Sequence, residues 1–258
     1  MLKASMSEDM HCCVWCLEKK SQAPSWQTIW PVSQDNYLCN TCAEKLVPVG
    51  ITTCSYCSRP REKPGICYDC ERIEKDPDWR GLLDHNVSLY RYNHAMQELI
   101  AQWKYRGDAA LALIFQQNIS QLYEKRYANY IPVPIPLSPQ RLHERGFNQA
   151  EQLASWTQRP ARCLSLLRLR QKQYLFPVTK ALTRVLHEEK QSKKTRRERL
   201  AATRNPFAFT PAQEVSVNSK NIVLFDDIFT TGMTLRKAAK VLKEHGAKRV
   251  CSITLARG

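Results

Sequence analysis

The sequence predicts an α/β domain on a parallel sheet, preceded by a small cysteine-rich metal-binding domain. Three observations predict it. Nine of the eleven cysteines lie before residue 71, eight of them in four C-x2-C doublets. The segment 222–255 reads as an apolar strand, a turn, an amphipathic helix and a second strand, which is a βαβ unit and implies parallel pairing. A short β-type run at 131–135 feeds a polar loop and another helical stretch, the alternation expected of α/β folds.

At 258 residues the chain has room for two modest domains, and 43% hydrophobic against 24% charged residues is a globular balance rather than a disordered one. No run reaches the roughly 18 to 20 apolar residues a bilayer span needs, and MLKASMSEDM lacks a signal-peptide core. A cytoplasmic location is therefore expected, with any presence at the inner face of the membrane due to partners. The formal charge of +15 is uneven: residues 1–80 carry 10 Lys/Arg and 11 Asp/Glu, leaving a surplus of +16 on the remainder. Residues 159–204 hold 14 basic and 3 acidic side chains, a field that attracts phosphates on small anions or on nucleic acid.

The four doublets are Cys13/Cys16, Cys39/Cys42, Cys54/Cys57 and Cys67/Cys70. A C-x2-C turn points two thiolates at one ion, and two such turns complete a tetrahedral shell, for which Zn2+ is the natural occupant. One or two structural zinc ions per chain are expected. Nearest-neighbour pairing joins 13/16 with 39/42 and 54/57 with 67/70; interleaved pairing is the alternative, with Cys12 or His11 as substitute ligands. Four disulfides are the competing reading, disfavoured in a reducing compartment. The composition changes between about 71 and 89, where ERIEKDPDWRG reads as a charged connector. This divides the chain into a zinc-binding domain over 1–80 and a larger domain over 81–258.

In the larger domain, Met96, Leu99, Ile100 and Trp103 recur at helical intervals, Gly107 interrupts, and Ala110, Leu111, Leu113 and Ile114 resume, predicting two helices. Lys104 and Arg106 read there as solvent-facing. YIPVPIPL is a strand whose prolines exclude an ordinary central position. After Asn148 a helix resumes, so Arg145 and Gly146 sit at a strand-to-helix crossing, where α/β folds commonly place ligands.

The segment NIVLFDDIFTTGMTLRKAAKVLKEHGAKRVCSITLA carries the chemistry. Residues 222–225 form a strand covered on both faces, ended by Asp226 and Asp227. Leu235, Ala238, Ala239 and Leu242 mark a helix closed by Gly246, and 249–255 is the next strand. Thr230, Thr231, Gly232, Met233 and Thr234 bring hydroxyls and backbone N–H groups to a helix N-terminus, where orphan donors and the helix dipole favour a phosphate. The two carboxylates would accept hydrogen bonds from vicinal sugar hydroxyls or hold Mg2+ through water. The alternative is an ordinary strand-loop-helix in which one aspartate caps the helix. The spacing is not that of a Walker motif.

VLFDDIFTTGMTL closely resembles the signature with which type I phosphoribosyltransferases bind 5-phosphoribosyl-1-pyrophosphate (PRPP). Cysteine doublets, KYRGD, PVPIPL with RGFNQA, EKQSKKTRRERL and this signature, in that order, resemble the competence protein F family, in particular its ComFC branch. The likeness covers about Cys13 to Ala256. It implies a type I phosphoribosyltransferase-like parallel sheet behind a zinc-finger region, in a cytoplasmic protein needed for natural transformation as DNA enters the cell. RPARCLSLLRLRQKQYLF, about 159–176, looks like an insertion relative to the family.

Carried over by resemblance, Asp226 and Asp227 are the ribose-hydroxyl pair and Thr230 to Thr234 the 5′-phosphate loop. Arg145 and Gly146 fall where the fold keeps its pyrophosphate loop, although a helix-terminal surface charge accounts for Arg145 equally well. Lys190, Gln191, Lys193, Lys194, Arg196, Arg197 and Arg199 fall in the mobile hood. Their charge would neutralise pyrophosphate, contact a DNA backbone or stay solvated. Three functions follow: handling of incoming single-stranded DNA with a PRPP-type pocket; a Mg2+-dependent phosphoribosyltransferase acting on an unnamed acceptor, with Asp226, Asp227 and Arg145 as its catalytic residues; or a scaffold recruiting DNA-uptake or recombination proteins. Tyr90, Tyr92, Trp103 and Tyr105 are candidate base-stacking surfaces or core.

Overall fold

The computed structural model describes residues 12–20, 37–105, 107–158, 176–185, 205–211 and 215–258. His11, Arg106, Cys163, the basic segment 159–175 and the hood residues 190–199 lie outside the described residues.

Each half of the cysteine-rich region repeats one design. A tight turn holds the first doublet, and the second doublet opens a helix: α1 (Asn40–Lys45) behind Cys39 and α2 (Tyr68–Lys75) behind Cys67. The turns close through Leu17 N–H to Cys13 O (2.9 Å) and Ser58 N–H to Cys54 O (3.0 Å), with Leu17 and Ser58 at positive φ. The charged stretch expected to be a connector is thus partly helix, since α2 runs through Glu71–Lys75. Cys70 anchors its buried side, and Lys75 pairs with Glu71 one turn away (2.8 Å).

A four-stranded sheet follows: β1 (Asn86–Arg91), β2 (Ile131–Pro134), β5 (Asn221–Phe229) and β6 (Arg249–Arg257), in the order β1-β6-β5-β2 and parallel throughout. β3 (Leu182–Arg184) and β4 (Phe207–Phe209) form a separate antiparallel pair. The strands read from the sequence are present, and the prolines of β2 are accommodated at the sheet's margin. Two differences are physical. β5 does not end at the aspartates; pairing with β6 continues through Asp226↔Thr254 to Phe229↔Arg257, because β6 is equally long and supplies partners. β1 escapes a search for apolar runs because Asn86 and Ser88 are buried polar residues, satisfied by Ser252, Thr254 and the Ser58 hydroxyl.

The free edge of β1 is covered by the cysteine-rich region. Arg91 N–H donates to Val47 O (2.8 Å), Val49 N–H to Leu89 O (3.1 Å) and Asn86 N–H to Tyr56 O (2.7 Å), so the edge offers no open ladder.

Helices clothe both faces. α3 (His94–Tyr105) matches its predicted stripe, with Met96, Leu99, Ile100 and Trp103 buried. The second predicted helix is a 3-10 stretch, Ala109–Phe115, running into α4 (Gln116–Arg126). α5 (Pro139–Arg145) and α6 (Gln149–Ser155) follow β2, and α7 (Met233–Glu244) joins β5 to β6. Strand alternation divides the core: Val223 and Phe225 face a cluster with α3, α4, Cys13 and Cys42, whereas Ile222 and Leu224 face one with α7, Cys54, Cys57, Cys67 and Cys70. The two cysteine groups therefore flank opposite faces of one sheet.

Candidate functional site

Parallel pairing brings the C-terminal ends of β2 and β5 to the same side of the sheet, the usual location of ligands in such folds. Asp226 and Asp227 lie there, near the end of β5. The Asp226 carboxylate accepts from the Asp227 N–H (2.9 Å), which fixes one acid by the backbone of the other.

Basic residues from three elements, Lys104 of α3, Arg145 of α5 and Arg184 of β3, act electrostatically on the pair. Lys104, in the last turn of α3, forms an ion pair with Asp227, the side chains being 16% and 14% exposed. Burial pushes the Asp226 carboxyl up to about 6, while Lys104, Arg184 and Arg145 pull against it. Burial likewise lowers Lys104 to about 8, with Asp226 opposing. Lys104 was expected to face solvent, and the structure corrects this. The available signal was its spacing four residues beyond Ile100, on the flank of the buried stripe.

Arg145 ends α5. Its guanidinium donates to Gln149 Oε1 (3.0 Å) and lies 5.6 Å from the centre of the Tyr105 ring. Gly146, at φ +74, closes α5 by donating to Leu142 O (2.8 Å). The crossing after β2 thus contains a short helix that was not anticipated, although Ser138-Pro139 is a start signal: the serine hydroxyl accepts from Arg141 N–H and proline occupies the first turn. Asn148 caps α6 through Ala150 N–H (3.0 Å) and donates to Ile135 O (3.0 Å), binding this crossing to the strand end.

The Thr230–Thr234 loop leads into α7. Gly232 adopts φ +73, and a Cβ there would overlap the Phe229 ring and come 2.6 Å from Arg236 Nη1, so the turn requires glycine. Met233 N–H is held by Thr231 Oγ1 (3.4 Å), and Thr230, Thr231 and Thr234 are exposed. The first turn of α7 contains no acidic residue to compete with an anion. Of the candidate stacking aromatics, Trp103 is fully buried with Nε1 donating to Gln152 (3.0 Å), Tyr90 accepts from Asn118 (2.7 Å), and Tyr105 is 78% exposed beside Arg145.

Away from this site, the sulfurs of Cys13, Cys16, Cys39 and Cys42, and those of Cys54, Cys57, Cys67 and Cys70, each gather within 4.8 Å. Cys12 is outside both groups, and all ten described cysteines are free thiols. The fit to a metal is geometric: Cys16–Cys39 and Cys57–Cys67 sulfurs are 3.7 Å apart. A tetrahedron with metal–sulfur bonds of about 2.3 Å has edges of about 3.8 Å. The Cys70 thiol, and beyond it Arg257, hold Cys57 down to about 4 against burial. Burial pushes Cys13 up, but backbone N–H groups outweigh it and hold the thiol near 6. Both tetrads could hold a metal ion.

A parallel sheet, an acid pair at its C-terminal side and a glycine turn opening the next helix define a phosphoribosyltransferase-type domain, here joined to two cysteine tetrads. Residues 176–258 match the family model described as phosphoribosyl transferase domain. The chain is 35% identical over 248 residues to Competence protein ComFC of Bacillus subtilis (strain 168), covering 95% of this chain and 94% of that protein. It is 32% identical over 225 residues to Competence protein ComFC of Streptococcus pneumoniae (87% and 90%), and 27% identical over 233 residues to DNA utilization protein YhgH of Escherichia coli (strain K12) (87% and 92%). The chain belongs to the ComFC family of competence proteins.

Proposed function

We propose that this protein handles incoming single-stranded DNA during natural transformation and carries a pocket for PRPP or a related sugar phosphate. One observation carries the pocket: Asp226 and Asp227, the second paired with Lys104 and the first within the field of Lys104, Arg184 and Arg145, lie in β5 four and three residues before the Thr230–Thr234 loop. Two carboxylates suit the ribose hydroxyls, the loop's amides and hydroxyls suit the 5′-phosphate, and Arg145 with Gly146 suits the pyrophosphate. Mg2+, if present with PRPP, would supply charge neutralisation at the pyrophosphate. The names of the ComFC and YhgH relatives support the DNA side of the reading, as does the surplus of +16 on residues 81–258.

Zinc is the proposed occupant of the tetrads, since four thiolates at tetrahedral spacing form a closed structural shell. By composition and ligand type, residues 1–80 form the metal-binding unit and 81–258 the phosphoribosyltransferase-like unit. The proposed location is cytoplasmic, with recruitment to the membrane's inner face by uptake proteins; no helix among the described residues is long and apolar enough to cross a membrane.

Calorimetry with Mg2+ and PRPP tests the pocket: heat is expected from the wild type and none from Asp226→Asn with Asp227→Asn, and a silent wild type rejects it. Single-stranded DNA titrated into the same preparation should bind with an affinity that falls steeply as salt rises. A second reading, phosphoribosyl transfer to an acceptor, is favoured by the acid pair near the end of β5; pyrophosphate release from PRPP that depends on an added acceptor, with the ribosyl phosphate recovered on that acceptor, would establish it.

A further inference from the structure

Behind the Thr230–Thr234 loop lie two arginines that belong to neither the acid pair nor the tetrads. Arg236 is 1% exposed and Arg257 is 5% exposed. Burying a guanidinium is costly unless its donors are used, so their acceptors reveal their task. Each reaches the loop on one side and the second tetrad's module on the other.

Arg257 donates through Nη1 to Phe229 O (3.2 Å) and through Nη2 to Cys57 Sγ (3.5 Å), and lies 5.1 Å from the Phe229 ring. Arg236 donates through Nη1 to Thr231 O (3.3 Å), and its Nη2 lies 3.7 Å from Glu74 of α2, four residues after Cys70. Glu74 is fixed in turn by the Gly81 N–H (2.9 Å). Phe229 and Arg236 are also the groups that a Cβ at position 232 would meet. The carbonyls of Phe229, just before the loop, and Thr231, within it, are thus held by cations whose other ends meet the Cys57 sulfur of the second tetrad and, as an ion pair longer than a hydrogen bond, Glu74 on the helix that carries Cys70.

We propose that the second cysteine tetrad is a structural part of the sugar-phosphate site, with Arg236 and Arg257 as positioning residues that transmit its geometry to the 229–232 turn. The inference rests on the reading of Thr230–Thr234 as a phosphate loop and of the tetrad as a metal site. Its physical content is that four thiolates fixed on one ion keep Cys57 Sγ and α2 in place. The two guanidiniums then hold the loop's backbone in its binding conformation before any ligand arrives. The charge of both arginines also lies behind the anion site, where it favours phosphate.

The test uses the full, metal-loaded chain and reads amide hydrogen exchange over 226–236 together with calorimetric binding of PRPP and, separately, inorganic phosphate. Arg257→Met and Arg236→Met are expected to speed exchange at 230–234 and weaken PRPP about tenfold each, the loss of one charge-assisted hydrogen bond. Arg257→Lys should recover part of both. Arg72→Met removes the same charge from exposed α2 without reaching the loop and serves as the control. Stripping the metal should reproduce the Arg257→Met exchange pattern at the loop. If the methionine variants fold poorly, Glu74→Gln, which keeps shape and removes charge, carries the comparison. Exchange at 230–234 no faster in the Arg257, Arg236 or Glu74 variants than in Arg72→Met overturns the proposal. A wild type that binds no PRPP while loop exchange still responds rejects the sugar-phosphate reading and leaves the coupling standing.

Discussion

At Asp226, burial and neighbouring cations pull in opposite directions, and burial wins. The carboxyl rises from 3.8 to about 6. A raised carboxyl binds its proton more tightly in the folded chain than in the unfolded one, so its stabilising contribution is complete below about pH 4 and is lost as pH rises through about 6. Keeping it ionised at neutral pH then costs roughly 3 kcal/mol. Asp226→Asn is expected to raise the urea midpoint at neutral pH and to flatten the stability decline between about pH 4 and 6; an unchanged decline contradicts the assignment. Lys104, lowered to about 8, has the opposite consequence. The charged form is disfavoured in the folded chain, so stability rises with pH above about 8. Sugar-phosphate binding that needs both charges should therefore be strongest between about pH 6 and 8, the limits belonging to the coupled pair. Lys104→Met should remove the alkaline limb in a calorimetric pH series. Gly232→Ala combines positive φ with overlap onto Phe229 and Arg236, and should cost about 2 to 4 kcal/mol in chemical denaturation.

Whole elements were legible where the sequence follows one physical rule and obscure where it satisfies two. The apolar stripe of α3, the strand at 222–225 and the helix closed by Gly246 all announce themselves by periodicity. β1 does not, because its buried polar residues answer polar groups on β6 and the Ser58 turn, partners far apart in sequence. Lys104 reads as a solvated charge for the same reason, and nothing in the local pattern marks Arg236 or Arg257 for burial: what makes the burial of all three tolerable is an acceptor brought by another element. α5 is set between β2 and α6 by Asn148, which caps α6 and also holds Ile135 O. Asn148→Ala removes the cap and leaves a buried carbonyl unpaired, an expected loss of about 2 to 3 kcal/mol. Because Arg145 lies three residues earlier, PRPP affinity should fall as well; a stable Asn148→Ala protein with intact affinity would detach this crossing from the site.

For the molecule as a whole, the gathering of the doublets into two tetrads that could hold a metal was legible, but their relation to the sheet was not. Composition separates 1–80 from 81–258 sharply, whereas the apolar clusters do not. Cys13, Leu38, Cys42 and Leu46 share a core with Met96, Trp103 and Phe115, and the Cys54–Cys70 tetrad shares one with Leu83, Val133 and Leu235. The cysteine-rich region also occupies the edge of β1. Two units that share both cores and one sheet edge should unfold together. Metal analysis is expected to give two ions per chain. Removing them with a chelator under reducing conditions should lower the melting temperature of the entire protein in one transition, because ligand release frees groups packed on both faces of the sheet. A fragment of 81–258 should aggregate or melt well below the full chain, since it would present apolar surface and an unpaired strand edge. Two separate transitions, the later one unmoved by the chelator, would mean that the sheet stands without its tetrads.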